Sequence, residues 1–362
     1  MAKRPRACCC SGRAAKRPAQ AQRRQHLYVV LEDWERGYSI HKVDVEAFDP
    51  DAADHPDSDE DDGVPPVVRV EAKHGCSSYF AAYGSKILAM FPVSGSPGVA
   101  VLHTESSGLS VYPLLSIYSR VSHPLFASVR GILFKISPSS MEMLGAQPPA
   151  MDDGGDKRWA WENITAYSQP PFNIHRAVCH ALHPDGRTLF VSVRMDATEH
   201  TFSFEADEHL EWRHRGEWML PFQGQAYYVA ELDAWVGLCR RSEGLGHVCS
   251  CDLAPPLSAA SPSGEAAAVP MPPRWKLCGE RLFDPDDKRH QNAKLVRIGS
   301  RRFCLLEAVG HRHGHRPMRP VRRVLRMTTF RLRYGKNGEL EIAASQAAWL
   351  ARPGRTRSPT KV

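Results

Sequence analysis

Apolar and polar positions alternate along this chain in short bursts, and the bursts come in pairs. Ala177-Val178-Cys179-His180-Ala181-Leu182 is one short apolar run, and Thr188-Leu189-Phe190-Val191-Ser192-Val193, rich in β-branched and aromatic residues, is the next. Between them Pro184 fixes φ at about −65°, which suits the second position of a type I or II turn, and Asp185-Gly186 supplies the corner. Two such runs around a Gly-containing corner predict a β-hairpin. His183 and Asp185 could also be read as a catalytic pair. That reading needs a third group and a pocket, and the sequence offers neither, so the turn is preferred.

The same pattern recurs. "YFAAYGSKILAMF" (79–91), "FASVRGILFKI" (126–136), "AYYVAELDAWVGLC" (226–239) and "AKLVRIGSRRFCLLEAV" (293–309) each place two short runs around a corner at Gly84, Gly131, Leu232-Asp233 or Gly299. The corners fall about 45 to 65 residues apart, near the period of propeller-blade repeats. Each hairpin is followed by a third apolar run ("GVAVLHT", "MEML", "HTFSFEA", "HVCSCDL", "VLRMTTFRLRY"). Three of them then lead to a fourth containing Trp ("RWAWENI", "LEWRHRGEWMLPF", "PRWKLCGERLF"). Four antiparallel strands per repeating unit predict the blade of a β-propeller. Three further strands, "HLYVVLED", "GYSIHKVDV" and "VVRVEA", precede the first full unit, and the C-terminal "GELEIAASQAAWL" is expected to complete them and close the ring. The predicted fold is all-β: about six four-stranded blades, with five and seven as the neighbouring counts. A β-sandwich is the rival, but it leaves the repeat unexplained.

Composition refines this picture. The chain of 362 residues carries 28 Pro and 26 Gly, more than long helices tolerate. No apolar stretch reaches the ~18 residues of a membrane span, and no apolar core follows the N-terminal charges as in a secretory signal. The net charge of +7 is unevenly placed. Residues 1–31 hold eight Lys or Arg and residues 352–362 hold four, with no acid in either, so the remainder carries 7 − 12 = −5. The body is therefore a poor nucleic-acid groove. The boundaries read as a disordered basic tail over 1–25, a propeller over 26–351 and a second disordered basic tail over 352–362. Within the propeller, 44–62 is an acidic loop and 254–273 a Pro/Ala/Ser-rich loop.

"HLYVVLEDWERGYSIHKVDVEAF", "HPDGRTLFVSV", "GEWMLPFQGQAYYVAELDAWVGLC" and "KLVRIGSRRFCLLE" together resemble the grass-expanded plant family known as domain of unknown function 1668. The likeness spans roughly residues 26–335. It implies a kelch-like propeller with no assigned activity, cofactor or catalytic residue, so no functional residue is carried over. The paired glycines and regular Tyr/Trp spacing of true kelch repeats are degenerate here. The three-helix F-box found in many plant kelch proteins is not seen, which weakens a ubiquitin-ligase adaptor reading.

Candidate sites lie mostly outside the repeats. Lys3, Arg4 and Arg6, with Lys16 and Arg17, resemble a bipartite nuclear import signal. A solubilising tail or a transit peptide is the competing reading, and Ser11 as the single hydroxyl residue among the first 25 speaks against transit. Arg316, Arg319, Arg322 and Arg323 form the one body segment suited to an anionic partner, although the protein's own acidic loop could serve equally. His311, His313 and His315 alternate as metal ligands on a strand would, but Gly314 and Pro317 favour a loop. "DSDEDDG" (57–63) fails as a calcium loop, with Asp62 where Gly is needed and Val68 where Glu should bind. Ser358, between two arginines and Pro359, is a candidate phosphosite. Cys249 and Cys251 form a C-x-C rather than a zinc knuckle, and most thiols are expected to be free. Cys8, Cys9 and Cys10 beside basic residues are a palmitoylation candidate lacking a second anchor.

No nucleophile elbow, P-loop, H-E-x-x-H or dinucleotide fingerprint is present. The sequence thus predicts a monomeric protein-interaction module of the nucleus and/or cytoplasm, engaging an unidentified protein partner, with no cofactor and no membrane contact. A propeller enzyme with a central-channel site and tail-mediated nucleic-acid association are the alternatives.

Overall fold

The computed structural model describes residues 25–34, 36–46, 64–71, 79–90, 98–115, 124–145, 159–207, 209–255, 271–311 and 322–351. Their strands follow the predicted units closely. A first sheet holds β1 (His26–Trp34), β2 (Gly37–Asp44) and β3 (Pro66–Glu71). The second unit holds β4 (Tyr79–Tyr83), β5 (Lys86–Met90), β6 (Val99–His103) and β7 (Leu109–Tyr112). The third holds β8 (Leu125–Val129), β9 (Ile132–Ile136), β10 (Met141–Leu144) and the short β11 (Glu162–Asn163). The fourth holds β12 (Ala177–Leu182), β13 (Thr188–Met195), β14 (Thr198–Glu205) and β15 (Glu211–Gly216). The fifth holds β16 (Phe222–Val229), β17 (Ala234–Cys239), β18 (His247–Cys251) and β19 (Trp275–Arg281). The sixth holds β20 (His290–Arg297), β21 (Arg302–His311), β22 (Arg322–Tyr334) and β23 (Leu340–Ala351).

All five predicted hairpins form, and four of their corners have the expected left-handed backbone. Gly84, Gly131 and Gly186 have φ of 56°, 72° and 70°, and Asp233 reaches 46°. Such left-handed positions favour Gly and tolerate Asp. Helix is confined, among the described residues, to one α-turn at Thr165–Ser168 and two short 3-10 turns. None is long and apolar enough to cross a membrane.

Packing between sheets makes a ring. One core layer joins the second and third units through Leu88, Val101, Leu133 and Leu144, and another joins the third and fourth through Phe134, Met141, Val191 and Phe204. Phe190, Trp235 and Cys249 share a layer between the fourth and fifth, and Val236, Phe303 and Phe330 share one between the fifth and sixth. The first sheet closes the circle by laying Leu27, Val29 and Val43 on Cys304 and Met327 of the sixth unit. Its other side meets the second unit, where Tyr38 packs edge-on against Phe80 at 5.3 Å and Tyr28 donates to Thr104 O at 2.8 Å. This closed, radial repetition of four-stranded antiparallel units is a β-propeller.

Two features depart from expectation. First, the C-terminal run does not complete the first sheet: β23 pairs with β22 as the fourth strand of its own unit. Ten register pairs with a long antiparallel neighbour next to it in sequence outcompete a strand at the opposite end of the chain. Second, among the described residues the first sheet lacks its innermost strand. Glu46, just after β2, pairs with Arg302 at the start of β21 (3.0 Å), and Gln25, just before β1, lies beside Gly299. In direction β1 therefore matches the second strands of its neighbours, and no described strand fills the innermost place of that sheet.

Elsewhere the first strand of each unit is innermost. β12 and β16 hydrogen-bond in parallel, with Cys179, His180 and Ala181 opposite Gly224, Gln225 and Ala226. Through this contact, and a single β19–β23 bridge at Cys278 and Leu340, the last three units merge into one twelve-stranded sheet.

Candidate functional site

The corners after the innermost strands are tied to one another around one end of the ring. Tyr83 Oη donates to Gly131 O, Arg130 N donates to Gly186 O at 3.0 Å, and Trp235 Nε1 donates to Leu182 O at 2.9 Å. Arg297 Nη1 continues the series to Tyr228 O at 2.6 Å. Each contact links one unit to the next, so the corners form a fixed rim. Ser85, Arg187, Glu231 and Ser300 stand exposed on it.

His183 and Asp185 belong to this rim, and their geometry answers the question of role. The imidazole Nδ1 lies 3.1 Å from Asp185 Oδ2, but that oxygen also accepts from Thr188 Oγ1 at 2.7 Å. Oδ1 accepts from Arg187 N and Thr188 N at 2.8 and 2.9 Å. Burial pushes the carboxyl up, yet these hydrogen bonds, with the neighbouring His183, outweigh it and hold Asp185 below the usual carboxylate range. His183 is buried against Trp235, with ring centroids 6.1 Å apart. The pair is a turn brace between two units rather than an acid–base dyad.

The inner strands carry a second set of polar groups. Gln225 and Lys294 are exposed positions of β16 and β20, and half-buried His180 faces Gln225 in the β12–β16 register. Burial lowers the His180 imidazole to about 4, and the positive charge of Lys294, two units away in sequence, adds to the effect. His180 is therefore neutral near pH 7. It can accept or donate one hydrogen bond there but carries no charge.

A third group sits at the start of β20. His290 Nδ1 is 2.9 Å from Glu307 Oε1, Arg326 lies 3.9 Å from the other Glu307 oxygen, and Phe283 stacks on the imidazole at 4.6 Å. A carboxylate of this kind fixes an imidazole's orientation.

The six cysteines among the described residues are free and buried. Cys249 and Cys251 share one layer with Cys179 and Cys239, as plain packing requires. Burial pushes Cys179 up to about 11 and Cys304 up to about 12. Cys239 goes the other way, down to about 7, because Cys249 donates to it and Arg241 lies close.

The residues singled out in the sequence are not brought together by the described structure. Lys3, Arg4, Arg6, Lys16, Arg17, Arg316, Arg319 and Ser358 lie outside the described residues, as do His313 and His315 and most of the 44–62 and 254–273 segments. Arg322 and Arg323 open β22, where their backbones pair with His311 and Gly310. A contact between this arginine segment and the acidic loop falls on residues outside the described ones; of the borders, Glu46 sits at Arg302 and the arginine segment leaves from His311. His180, Lys294 and the His290–Glu307 pair were not legible as a group. Each looks like an ordinary strand residue until the ring places the inner strands side by side.

Comparison with known proteins adds the family and little else. No curated protein matches the chain. A complex of KlAtg21 with the coiled-coil of AgAtg16 is similar at 10% identity and a TM-score of 0.39, over 90% of this chain and 82% of that one. The PQQ-bound aldose sugar dehydrogenase of Streptomyces coelicolor is similar at 10% identity and a TM-score of 0.41, over 83% of this chain and 91% of that one. Likenesses this distant say nothing of what the chain binds or acts on. The sequence itself matches, over residues 24–350, the family described as protein of unknown function DUF1668, and the chain belongs to that family.

Proposed function

We propose that this protein is a kelch-like propeller of plants that acts as an intracellular scaffold or adaptor for a protein partner, as a monomer and without catalysis of its own. The observation supporting this is the rim of mutually hydrogen-bonded corners, which presents Ser85, Arg187, Glu231 and Ser300 on a frame already ordered before binding. A preorganised surface loses less entropy on association than loops that must first be fixed. Affinity purification of the full chain, of residues 26–351 and of a full-chain Arg187→Glu/Glu231→Arg variant tests it. One partner shared by the first two and lost from the third supports the reading, and a partner retained by the rim variant refutes it. In the same reading Lys3, Arg4, Arg6, Lys16 and Arg17 direct nuclear import, and Ser358 is modified on the tail. Replacing the five basic residues by Ala should then move a fluorescent fusion out of the nucleus.

One observation favours a second reading, small-molecule turnover at the channel. His180 is held neutral beside Lys294, which suits a hydrogen-bonding imidazole next to a cation for orienting a polar substrate. Turnover that disappears in Lys294→Met while the rim variant retains it would replace the adaptor reading.

A further inference from the structure

Five buried side-chain polar atoms among the described residues have no hydrogen-bond partner, and four of them lie on one face of the fourth unit: Ser203 Oγ, Glu205 Oε1, Arg215 Nε and Arg215 Nη1. Buried groups of this kind are nearly always satisfied, so a concentration of exceptions calls for an occupant. Ser203 and Glu205 are two apart on β14 and share a face, and Ser203 is paired with Phe190 on β13. The Arg215 guanidinium lies 5.5 Å over the Phe190 ring, which brings it to the same face. Arg215 is only 4% exposed, and its remaining nitrogen, Nη2, donates across the interface to Pro255 O of the fifth unit.

The arrangement is unlike a structural ion pair. The Glu205 carboxylate is close enough for its charge to act on Arg215, yet no hydrogen bond joins the two, and each keeps unsatisfied buried atoms. A buried pair serving stability alone would close that separation, because low dielectric strengthens a direct contact and penalises a missing one. Arg215 supplies donors only, Glu205 as a carboxylate acceptors only, and Ser203 either. A group set between them must accept from the guanidinium and donate to the carboxylate. The Glu205 charge opposes a net anion and the Arg215 charge opposes a net cation. Adjacent hydroxyls on one carbon skeleton meet these demands, with one accepting from Arg215 and its neighbour donating to Glu205.

We propose that Arg215, Glu205 and Ser203 form a binding site, between the fourth and fifth units, for a neutral ligand bearing a vicinal diol, of polyol or monosaccharide size. The site is separate from the corner rim and does not depend on the adaptor reading. Calorimetric titration of the full-length protein with myo-inositol tests it, with 1,3-propanediol and sodium acetate as controls and the Arg215 Nε–H resonance as a local reporter. The expected result is saturable myo-inositol binding that shifts this resonance, no binding of either control, and at least tenfold weaker binding in Ser203→Ala and in Glu205→Gln. Both substitutions are small enough to keep the fold, which circular dichroism checks. Three outcomes overturn the proposal: no saturable binding, leaving ordered water as the occupant; preference for acetate, making it an anion site; or myo-inositol binding unchanged in both variants, placing it elsewhere.

Discussion

The interface between the fourth and fifth units and the seam between the first sheet and the sixth unit hold the same ring together by different means. At the former, backbone pairs with backbone along β12 and β16, and Trp235 both fills the layer and donates to Leu182 O. At the seam no strand pairing among the described residues joins the two sheets. A small apolar layer of Leu27, Val29, Val43, Val45, Cys304 and Met327 does so, with the Glu46–Arg302 pair at its edge. Hydrogen-bonded strands fix register and direction, whereas side-chain packing fixes only a surface. This is why the first sheet can close the circle although none of its described strands takes the innermost place.

The largest test of this contrast is Trp235→Ala. Trp235 is fully buried, so its removal should cost about 3–5 kcal/mol in denaturant unfolding and leave Leu182 O without its donor. A loss of under about 1 kcal/mol would show that the strand pairing holds the interface without it.

Next is acid. The His180 imidazole is lowered from its ordinary 6.5 to about 4, so the folded state prefers it neutral. Its contribution is complete above about pH 6.5 and is lost as pH falls towards 4, because the unfolded chain then binds the extra proton. The difference corresponds to about 3 kcal/mol. Stability measured from pH 7 to 4 should fall more steeply in the wild type than in His180→Gln, and equal slopes would contradict the placement of His180.

At the seam, Met327→Ala should cost about 2 kcal/mol, the low end for a buried methionine, because the facing sheet is not locked by hydrogen bonds and can settle inwards. Hydrogen exchange should accordingly release β1–β3 before β12–β18, and simultaneous release would erase the distinction between the two joints. Smallest is Glu46→Gln, an exposed pair whose loss should change stability by under about 1 kcal/mol and less still in high salt.

How much of this was legible in the sequence follows from the range of each interaction. The hairpins were, because a corner at Gly84, Gly131 or Gly186 and the runs beside it are local, and the backbone there needs what Gly provides. The bracing role of Asp185 was also readable, since its partners Arg187 and Thr188 are its sequence neighbours. The fourth strand β7 was not: Leu109–Tyr112 lacks the Trp that marks other fourth strands, and its Leu109 and Val111 are exposed. The destination of β23 and the sense of β1 depend on contacts spanning the whole chain, such as Glu46 with Arg302. Arg215 was equally hidden. In "EWRHRGEW" it looks like Arg213, which is exposed and pairs with Glu211, and only the bulge in β15 turns one of the two inward.

The seam also sets an order for biosynthesis. Leu27 and Val29 leave the ribosome well before Cys304 and Met327, which cover them and follow nearly 300 residues later. At about 5–20 residues per second that delay is roughly 15–60 s. For that interval the nascent chain carries an apolar sheet face without its partner, which makes β1–β3 the segment a chaperone would shield during translation and the last to become protease-resistant.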